Sequence, residues 1–275
     1  MILDSHQHFW HYSPEEFDWI SNEMTRIRQD FLPGDLTPIL QKNRIDGTIA
    51  VQARQTTEET DWLIDLADQH KFIKGVVGWV PLAEENVEQY LEKYGAVDCV
   101  KGVRHVIHDE PDDQYILRGD FNQGVGLLKN YDLVYDILVF EKHLPQTIAF
   151  VDRHPEQIFV LDHVGKPRIK DNVLEPWRTH ITELAERENV CCKLSGMVTE
   201  SDFTSWKKEQ LQQYFNVILK SFGADRLLFG SDWPVCLVAA EYEEWLQIVH
   251  NFISTLSETK QRRILCKTAR EVYGI

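Results

Sequence analysis

Two histidines, His6 and His8, lie two residues apart in a short segment near the amino terminus. The segment, residues 2–8, is predicted to be a β-strand, in which side chains two residues apart point to the same face. Adjacent neutral imidazoles can bind a divalent metal ion or polarise a substrate oxygen. A histidine pair on an exposed edge strand would do neither. Asp4 would share this face, either as an acceptor that fixes a histidine tautomer or as a structural acid at the strand start.

Two further candidates stand at the ends of later strands. His163 closes the apolar run of "FVLDHVGKP", and strand alternation allows only one of Asp162 and His163 to face inward, so we favour His163. Asp232 follows the run in "LLFGSDWPV", where a carboxylate close to histidines is suited to act as a general base. The alternative for Asp232 is a helix N-cap, a position that aspartate also favours.

Other polar or aromatic side chains also follow predicted strands, where they would be able to contact a substrate. Arg104 is the arginine we place at an inward strand end, and an ion pair is its alternative role. Glu200 lies in the loop after the seventh strand. The predicted substrate contacts are Arg104, His105, Gln52, Trp79 and Lys193.

Short β-branched runs alternate with longer segments of helical periodicity along the whole chain. The predicted strands are residues 2–8, 47–52, 73–79, 100–106, 133–140, 158–162, 190–194 and 226–230. Eight such units favour parallel β/α architecture, and the first strand lacks the glycine-rich turn of a doubly wound nucleotide-binding sheet. We therefore predict a single (β/α)₈ TIM barrel over residues 1–275. The irregular stretches 9–35 and 105–118 would line its C-terminal mouth, where the active sites of such barrels lie.

Composition excludes several classes of function. The 275 residues carry 29 Lys and Arg against 44 Asp and Glu, a formal net charge of −15. Such a negative field disfavours nucleic acid and acidic membrane surfaces as partners. The five cysteines form no Cys-x-x-Cys pair, which indicates reduced thiols and a cytoplasmic location. A homo-oligomer is compatible with the sequence.

The motifs "DSHQHFW", "VQARQTTEET", "GVVGWVPL", "KGVRHVI", "FVLDHVGKP", "CCKLSGMVTE" and "LLFGSDWPV" occur in this order along the chain. Together they resemble the amidohydrolase superfamily, amidohydrolase-related type 2. Within it they are most similar to the sugar-lactonase group, of L-fuconolactonase and L-rhamnono-γ-lactonase type. The resemblance implies a (β/α)₈ barrel that hydrolyses a cyclic ester, with catalytic groups at His6, His8, His163 and Asp232.

One departure from the superfamily's binuclear pattern concerns the metal. That pattern has a histidine on the fifth strand, whereas "VYDILVF" contains none. The resemblance therefore implies at most one divalent ion, such as zinc, held by His6, His8, His163 and Asp232. Some relatives of this group work without a metal, with histidines polarising the carbonyl directly.

The acidic charge and the shortage of inward arginines favour a neutral aldonolactone, such as L-fuconolactone, as the small-molecule substrate. Asp232 would be the general base, while His6, His8 and His163 polarise the carbonyl. Two alternatives remain open. One is a decarboxylase of the same superfamily that depends on a single metal ion, and the other is a barrel that binds a ligand without catalysis.

Overall fold

In a computed structural model that describes residues 1–275, the eight predicted strands form one parallel sheet in sequential order, β1 to β8. They are β1 Leu3–Gln7, β2 Gly47–Val51, β3 Ile73–Gly78, β4 Val100–Val106, β5 Val134–Leu138, β6 Phe159–Leu161, β7 Val190–Leu194 and β8 Leu227–Phe229. Each strand pairs in parallel with the next. The prediction of a (β/α)₈ barrel is confirmed.

The sheet closes where β1 meets the segment after β8. Gln7 and Trp233 form a parallel bridge, and the His8 N–H donates to the Trp233 carbonyl at 2.7 Å. The Asp232 N–H donates to the His6 carbonyl at 2.8 Å. This seam therefore fixes the backbones of three candidate site residues against one another.

Helices follow the strands and cover the outside of the sheet. They are α1 Pro33–Asn43, α2 Thr57–Gln69, α3 Val87–Gly95, α4 Gly119–Leu127, α5 Leu144–Asp152, α6 Trp177–Leu184, α7 Lys208–Phe222, α8 Tyr242–Ile253, α9 Glu258–Arg262 and α10 Thr268–Val272. A π-helical segment, Arg263–Lys267, joins the last two. None of the helices is both long and apolar enough to cross a bilayer.

Apolar side chains form two separate cores. The larger contains 69 buried residues and lies between the sheet and its helices. The smaller contains 11, takes residues from seven of the strands and fills the barrel interior. Ala269 and Tyr273 belong to this interior cluster, so the C-terminal segment covers the amino-terminal end of the barrel. Burial on both faces explains why the strands read as apolar runs.

An irregularity in β1 changes which of its side chains face inward. The pairing with β2 shifts register between Asp4 and Gln7, as in a β-bulge. Leu3 therefore belongs to the interior cluster. The ring of His6, three residues later, also faces the barrel interior, where it contacts Arg104 and Lys193. The prediction that Asp4 shares the histidine face is wrong, because the bulge interrupts strict alternation.

Candidate active site

A cavity of about 350 Å³ opens at the carboxyl ends of the strands. It is lined by His8, Trp19, Met24, Ala53, Arg104, Val106, His108, Asp109, Leu138, Phe140, His163, Lys166, Thr199, Glu200, Asp232 and Val235. Both irregular stretches contribute to this lining, as predicted. A groove of about 430 Å³ at the opposite end of the barrel contains none of the candidate residues.

Three imidazoles converge on the carboxylate of Asp232 at the floor of this cavity. The Asp232 Oδ1 atom lies 3.5 Å from His8 Nε2, 3.7 Å from His6 Nε2 and 3.9 Å from His163 Nε2. The Nε2 atoms of His6 and His8 are 3.1 Å apart. All four side chains are buried. The structure thus brings together the four residues that the sequence proposed as one centre.

The loops that carry this centre have unusual backbone geometry. Strand β6 ends at Leu161, and His163 follows in a turn with a positive φ of 51°. Asp232 also has a positive φ, of 60°. The turn after β6 removes strand alternation, so Asp162 and His163 both reach His6. The expectation that only one of them faces the site is therefore wrong.

Gly196 allows the loop after β7 to pass close to His163. Its φ is +63°, and a Cβ added there would lie 2.6 Å from the Cγ atom of His163. Ser195, beside it, places its hydroxyl 2.9 Å from His163 Nδ1. The imidazole is therefore held from one side by a hydrogen bond and from another by backbone.

Asp4 supports the centre through the backbone rather than through a histidine ring. Its carboxylate accepts hydrogen bonds from the Ser231 N–H at 2.8 Å, the His6 N–H at 3.2 Å and the Tyr242 hydroxyl at 3.0 Å. Burial raises the pKa of Asp4 to about 6 despite these donors. Asp4 thereby ties β1 to the turn that precedes Asp232.

Neighbouring groups determine which histidine nitrogens carry protons. His8 Nδ1 donates to the Val51 carbonyl at 2.8 Å, which leaves a lone pair on Nε2 in the neutral ring. His6 Nδ1 has two neighbours, the Lys193 ammonium at 3.1 Å and Asp162 Oδ1 at 3.4 Å. Donation from Lys193 keeps the proton on His6 Nε2, whereas donation to Asp162 frees Nε2 to bind a metal.

The donor set fits a single divalent metal ion. Tetrahedral zinc with ligand distances of about 2.0–2.1 Å separates its ligand atoms by about 3.4 Å, and the four distances here run from 3.1 to 3.9 Å. Two sets of three residues place possible ligand atoms within 4.8 Å of one another, His6 with His8 and Asp232, and His6 with Asp162 and His163. His6 is common to both.

Electrostatics keep the imidazoles of His6 and His163 neutral and the Asp232 carboxyl ionised. Burial lowers the pKa of His6 and of His163 well below the ordinary value. Burial alone would raise the pKa of Asp232, but its polar surroundings, the side chains of His163 and His8 and the Lys166 ammonium, lower it below its usual value. Asp232 is therefore a carboxylate that can accept a proton at neutral pH.

Arg104 lies at the cavity but its hydrogen-bond donors are occupied. Its guanidinium donates to Gln52 through Nε at 3.1 Å and through Nη2, and to Asp162 Oδ2 through Nη1 at 3.0 Å. Nη1 also lies 3.3 Å from His6 Nε2. Arg104 and Gln52 therefore form the wall behind the histidines, with little capacity left to bind a substrate oxygen.

Lys193 lies inside the barrel, beneath the cavity. Its ammonium contacts Asp136 Oδ2 at 2.5 Å, Asp162 Oδ1 at 3.0 Å and His6 Nδ1. The Tyr273 hydroxyl donates to Asp136 from the C-terminal segment. Lys193 is fully buried, so it supports His6 from below and does not line the cavity.

Trp79 and His105 lie outside the cavity. Trp79 donates its indole N–H to His105 Nδ1 at 3.1 Å, and His105 stacks on Tyr115 with ring centroids 5.0 Å apart. Glu110 accepts from the other His105 nitrogen at 2.7 Å. The residues alternate along β4, so His105 faces the helices while Arg104 faces inward. The geometry gives no support to substrate contacts from this pair.

The loop between β2 and α2 reaches the cavity through Ala53 and is held by Glu59. The Glu59 carboxylate accepts from the Ala53 N–H at 2.9 Å and the Arg54 N–H at 2.7 Å. The side chain is almost fully buried, and burial raises the pKa of Glu59 to about 7.

Sequence reasoning did not select four polar residues that line the cavity, His108, Asp109, Lys166 and Thr199. Lys166 lies in the Gly-Lys-Pro turn that follows His163, which was the available signal. His108 and Asp109 lie in a short 3₁₀ segment after β4, where no periodicity marks their direction. Glu200, named as a loop candidate, does line the cavity.

This fold and this centre define a (β/α)₈ barrel with a histidine–aspartate site at its C-terminal mouth. The amidohydrolase family model matches residues 3–275, and the chain belongs to that family. The family resemblance seen in the motifs is confirmed.

Several proteins are similar to this chain over most of its length. An L-fucono-1,5-lactonase from Burkholderia multivorans is 38% identical, covering 99% of this chain and 96% of that protein. A second L-fucono-1,5-lactonase, from Burkholderia ambifaria, is 34% identical over 89% of this chain and 85% of that protein. An amidohydrolase from Burkholderia multivorans, solved with bound HEPES and also with bound zinc, superimposes with a TM-score of 0.96 at 38% identity, covering 100% of this chain and 99% of that one.

Proposed function

We propose that this protein hydrolyses the ring ester of a neutral sugar lactone such as L-fucono-1,5-lactone. The observation that carries the proposal is the convergence of three buried imidazoles on the Asp232 carboxylate, in a chain 38% identical to an L-fucono-1,5-lactonase. Ester hydrolysis needs a base, oxyanion stabilisation and a proton for the leaving oxygen, and this centre contains groups for each.

Asp232 is the proposed general base. It takes a proton from water as the water oxygen attacks the lactone carbonyl. When the bond to the ring oxygen breaks, the same carboxyl returns the proton to the departing alkoxide. The product is the open-chain aldonic acid. General acid–base steps of this kind contribute about 10²–10⁴-fold to the rate.

The histidines are proposed to stabilise the oxyanion of the tetrahedral intermediate. With Lys193 donating to His6 Nδ1, His6 Nε2 carries a proton that points to the lone pair of His8 Nε2, 3.1 Å away, and a carbonyl oxygen replaces that acceptor when the lactone binds. The Ser195 hydroxyl can donate to His163 Nδ1 in the same way and leave a proton on Nε2. Loss of one such donor costs about 10²–10³-fold in rate.

In a second state of the centre, one divalent ion, proposed as zinc, takes the place of the His6 and His163 Nε2 protons and is held by the Nε2 atoms of His6, His8 and His163 with Asp232. When bound, it supplies Lewis-acid polarisation of the carbonyl. Support comes from the ligand-atom spacing and from the zinc in the solved amidohydrolase. The lone pair that the Val51 carbonyl leaves on His8 Nε2 suits such a ligand.

The balance of charge in the cavity supports a neutral substrate. Arg104 is engaged by Gln52 and Asp162, and Lys166 is paired with Glu200 at 2.7 Å. No cation that lines the cavity is left without an anionic partner. A carboxylate-bearing substrate, as for a decarboxylase or an anionic lactone, would therefore have to displace an existing ion pair.

The cytoplasm is the location we propose, and it is supported by five cysteines that are all free. Self-association stays a prediction of the sequence.

The test of the proposed function is a panel of neutral aldonolactones, the L-fucono, L-rhamnono and L-galactono compounds, assayed for hydrolysis with and without a chelator. We expect rapid turnover of at least one neutral lactone. Turnover of none, together with carbon dioxide release from a carboxylated substrate that stops on chelation, would replace the lactonase by a decarboxylase.

A further inference from the structure

A charged pair outside the histidine–aspartate centre lines the same cavity, Lys166 and Glu200. The Lys166 Nζ atom lies 2.7 Å from Glu200 Oε1, and less than a fifth of either side chain is exposed. Lys166 is anchored close to the centre because its N–H donates to the His163 carbonyl at 2.9 Å. The proposed chemistry uses neither side chain.

Both members of the pair keep unused hydrogen-bonding capacity. An ammonium has three N–H donors, and that of Lys166 gives one to Glu200. The second carboxylate oxygen of Glu200 has no protein partner. Burial alone would lower the pKa of Lys166, but Glu200 raises it above the ordinary value, so the ammonium stays charged. Charged groups with free donors and acceptors beside a cavity are suited to bind a polar ligand.

The chemistry of this pair matches hydroxyl groups. A hydroxyl both donates and accepts, so neighbouring hydroxyls on a sugar ring can donate to Glu200 and accept from Lys166 at the same time. The pair has no net charge, so it offers a carboxylate no free cation. Arg104, by contrast, has its donors occupied by protein groups and cannot take this role.

A neutral imidazole lies on the same part of the cavity wall. Burial lowers the pKa of His108 to about 2, and its Nδ1 atom is buried without a hydrogen-bond partner. The ring of Phe140 contacts both groups, with its centroid 4.4 Å from that of His108 and 5.6 Å from Lys166 Nζ. This wall therefore combines unused polar groups with one aromatic face.

We propose that Lys166 and Glu200 form a hydroxyl-recognition pair that binds adjacent ring hydroxyls of the sugar lactone. The pair thereby sets the preference for polyhydroxylated lactones over unsubstituted ones. This inference rests on the proposed lactonase function, and it assigns specificity to residues that lie beside the reacting centre rather than in it.

The test compares Glu200→Ala and Lys166→Met with wild type on two six-membered lactones, L-fucono-1,5-lactone and unsubstituted δ-valerolactone. A lost hydrogen bond to a charged group costs about 1.5–3 kcal/mol, or roughly 10–150-fold. We expect KM for the sugar lactone to rise by about that factor, with kcat changed less than about threefold. For δ-valerolactone, kcat/KM should stay within about twofold.

The matched control is Asp61→Ala. It breaks the Lys93–Asp61 pair, which has the same 2.7 Å separation but is half exposed and away from the cavity. This variant should leave both lactones unaffected. A Glu200→Ala variant that loses activity equally on both lactones, or loses kcat at constant KM, would overturn hydroxyl recognition, as would a variant indistinguishable from wild type.

Binding provides a reading that does not depend on turnover. Calorimetric titration of L-fucono-1,5-lactone into Asp232→Asn, and into the same variant carrying Glu200→Ala, should show affinity falling by the same factor as KM rises. Equal affinity in the two proteins would contradict the inference. Absence of lactone hydrolysis by wild type would instead contradict the proposed function, so the two failures are distinguished.

Discussion

Gly196→Ala should reduce activity by displacing His163 without changing any polar group. An alanine Cβ would lie 2.6 Å from both Cγ and Nδ1 of His163, whereas ordinary carbon contacts are about 3.5–4.0 Å. The ring must therefore move by about 1 Å. It cannot do so freely, because Ser195 and a strained backbone hold it. A misplacement of this size costs about 10²-fold in rate, which is the loss we expect in kcat/KM.

The assay is steady-state lactone hydrolysis together with thermal unfolding, and Gly223→Ala is the control. Gly223 also has a positive φ, of +65°, but its Cβ would meet nothing within 4 Å. Both variants should lose about 1–3 kcal/mol from backbone strain, whereas only Gly196→Ala should lose activity at a temperature where both are folded. A folded Gly196→Ala protein within threefold of wild type would refute the requirement for His163 in its observed position.

Three further predictions follow from the site. Asp232→Asn should lower kcat by about 10²–10⁴-fold with the fold intact by circular dichroism, and a variant within threefold of wild type would exclude Asp232 as the base. The pKa of Glu59 is about 7 in the fold against 4.5 in the unfolded chain, so its contribution to stability is fully present below pH 4.5 and lost as the pH rises through 7. Between pH 4.5 and 8, the free energy of unfolding measured with denaturant should therefore change by about 3 kcal/mol less in Glu59→Gln than in wild type. The same pH dependence in both proteins would contradict this. Dialysed protein should retain about one zinc ion per chain by elemental analysis and His8→Ala less than half of that, whereas full retention by the variant would exclude His8 as a ligand.

The fold was predictable because periodicity is a local property of the chain. All eight predicted strands are present. The alternation of strands and helices predicted parallel β/α units, and the absence of a glycine-rich turn after the first strand favoured the barrel over a doubly wound sheet. The exact ends were less predictable. Residues 158–162 were predicted as a strand, but β6 ends at Leu161. The positive φ of His163 is imposed by the turn that follows and leaves no periodic signal in the sequence.

Predictions of which side chains face inward failed where the backbone departs from regular strand geometry. The bulge in β1 separates Asp4 from the face of His6, and the turn after β6 lets Asp162 join His163 at the centre. Strict alternation describes neither case, because it assumes one residue per pleat. Only tertiary pairing between strands reveals these two features.

Whether a polar residue at a strand end reaches the site depends on the face of the strand on which it lies. Arg104 and His105 are neighbours, yet one contacts His6 and the other packs against Tyr115 under the helices. Both are polar, so residue type alone did not separate them. Lys166 was not selected, because a lysine in a turn is usually a solvated charge. Its pairing with Glu200 is visible only in three dimensions.

The most direct test of the account is the initial rate of L-fucono-1,5-lactone hydrolysis by the purified protein, corrected for spontaneous ring opening and compared with a carboxylate-bearing lactone. The account predicts saturable turnover of the neutral lactone, with a kcat/KM well above that for the anionic one. Hydrolysis no faster than the spontaneous reaction for every neutral lactone, or a preference for the anionic lactone, would contradict it.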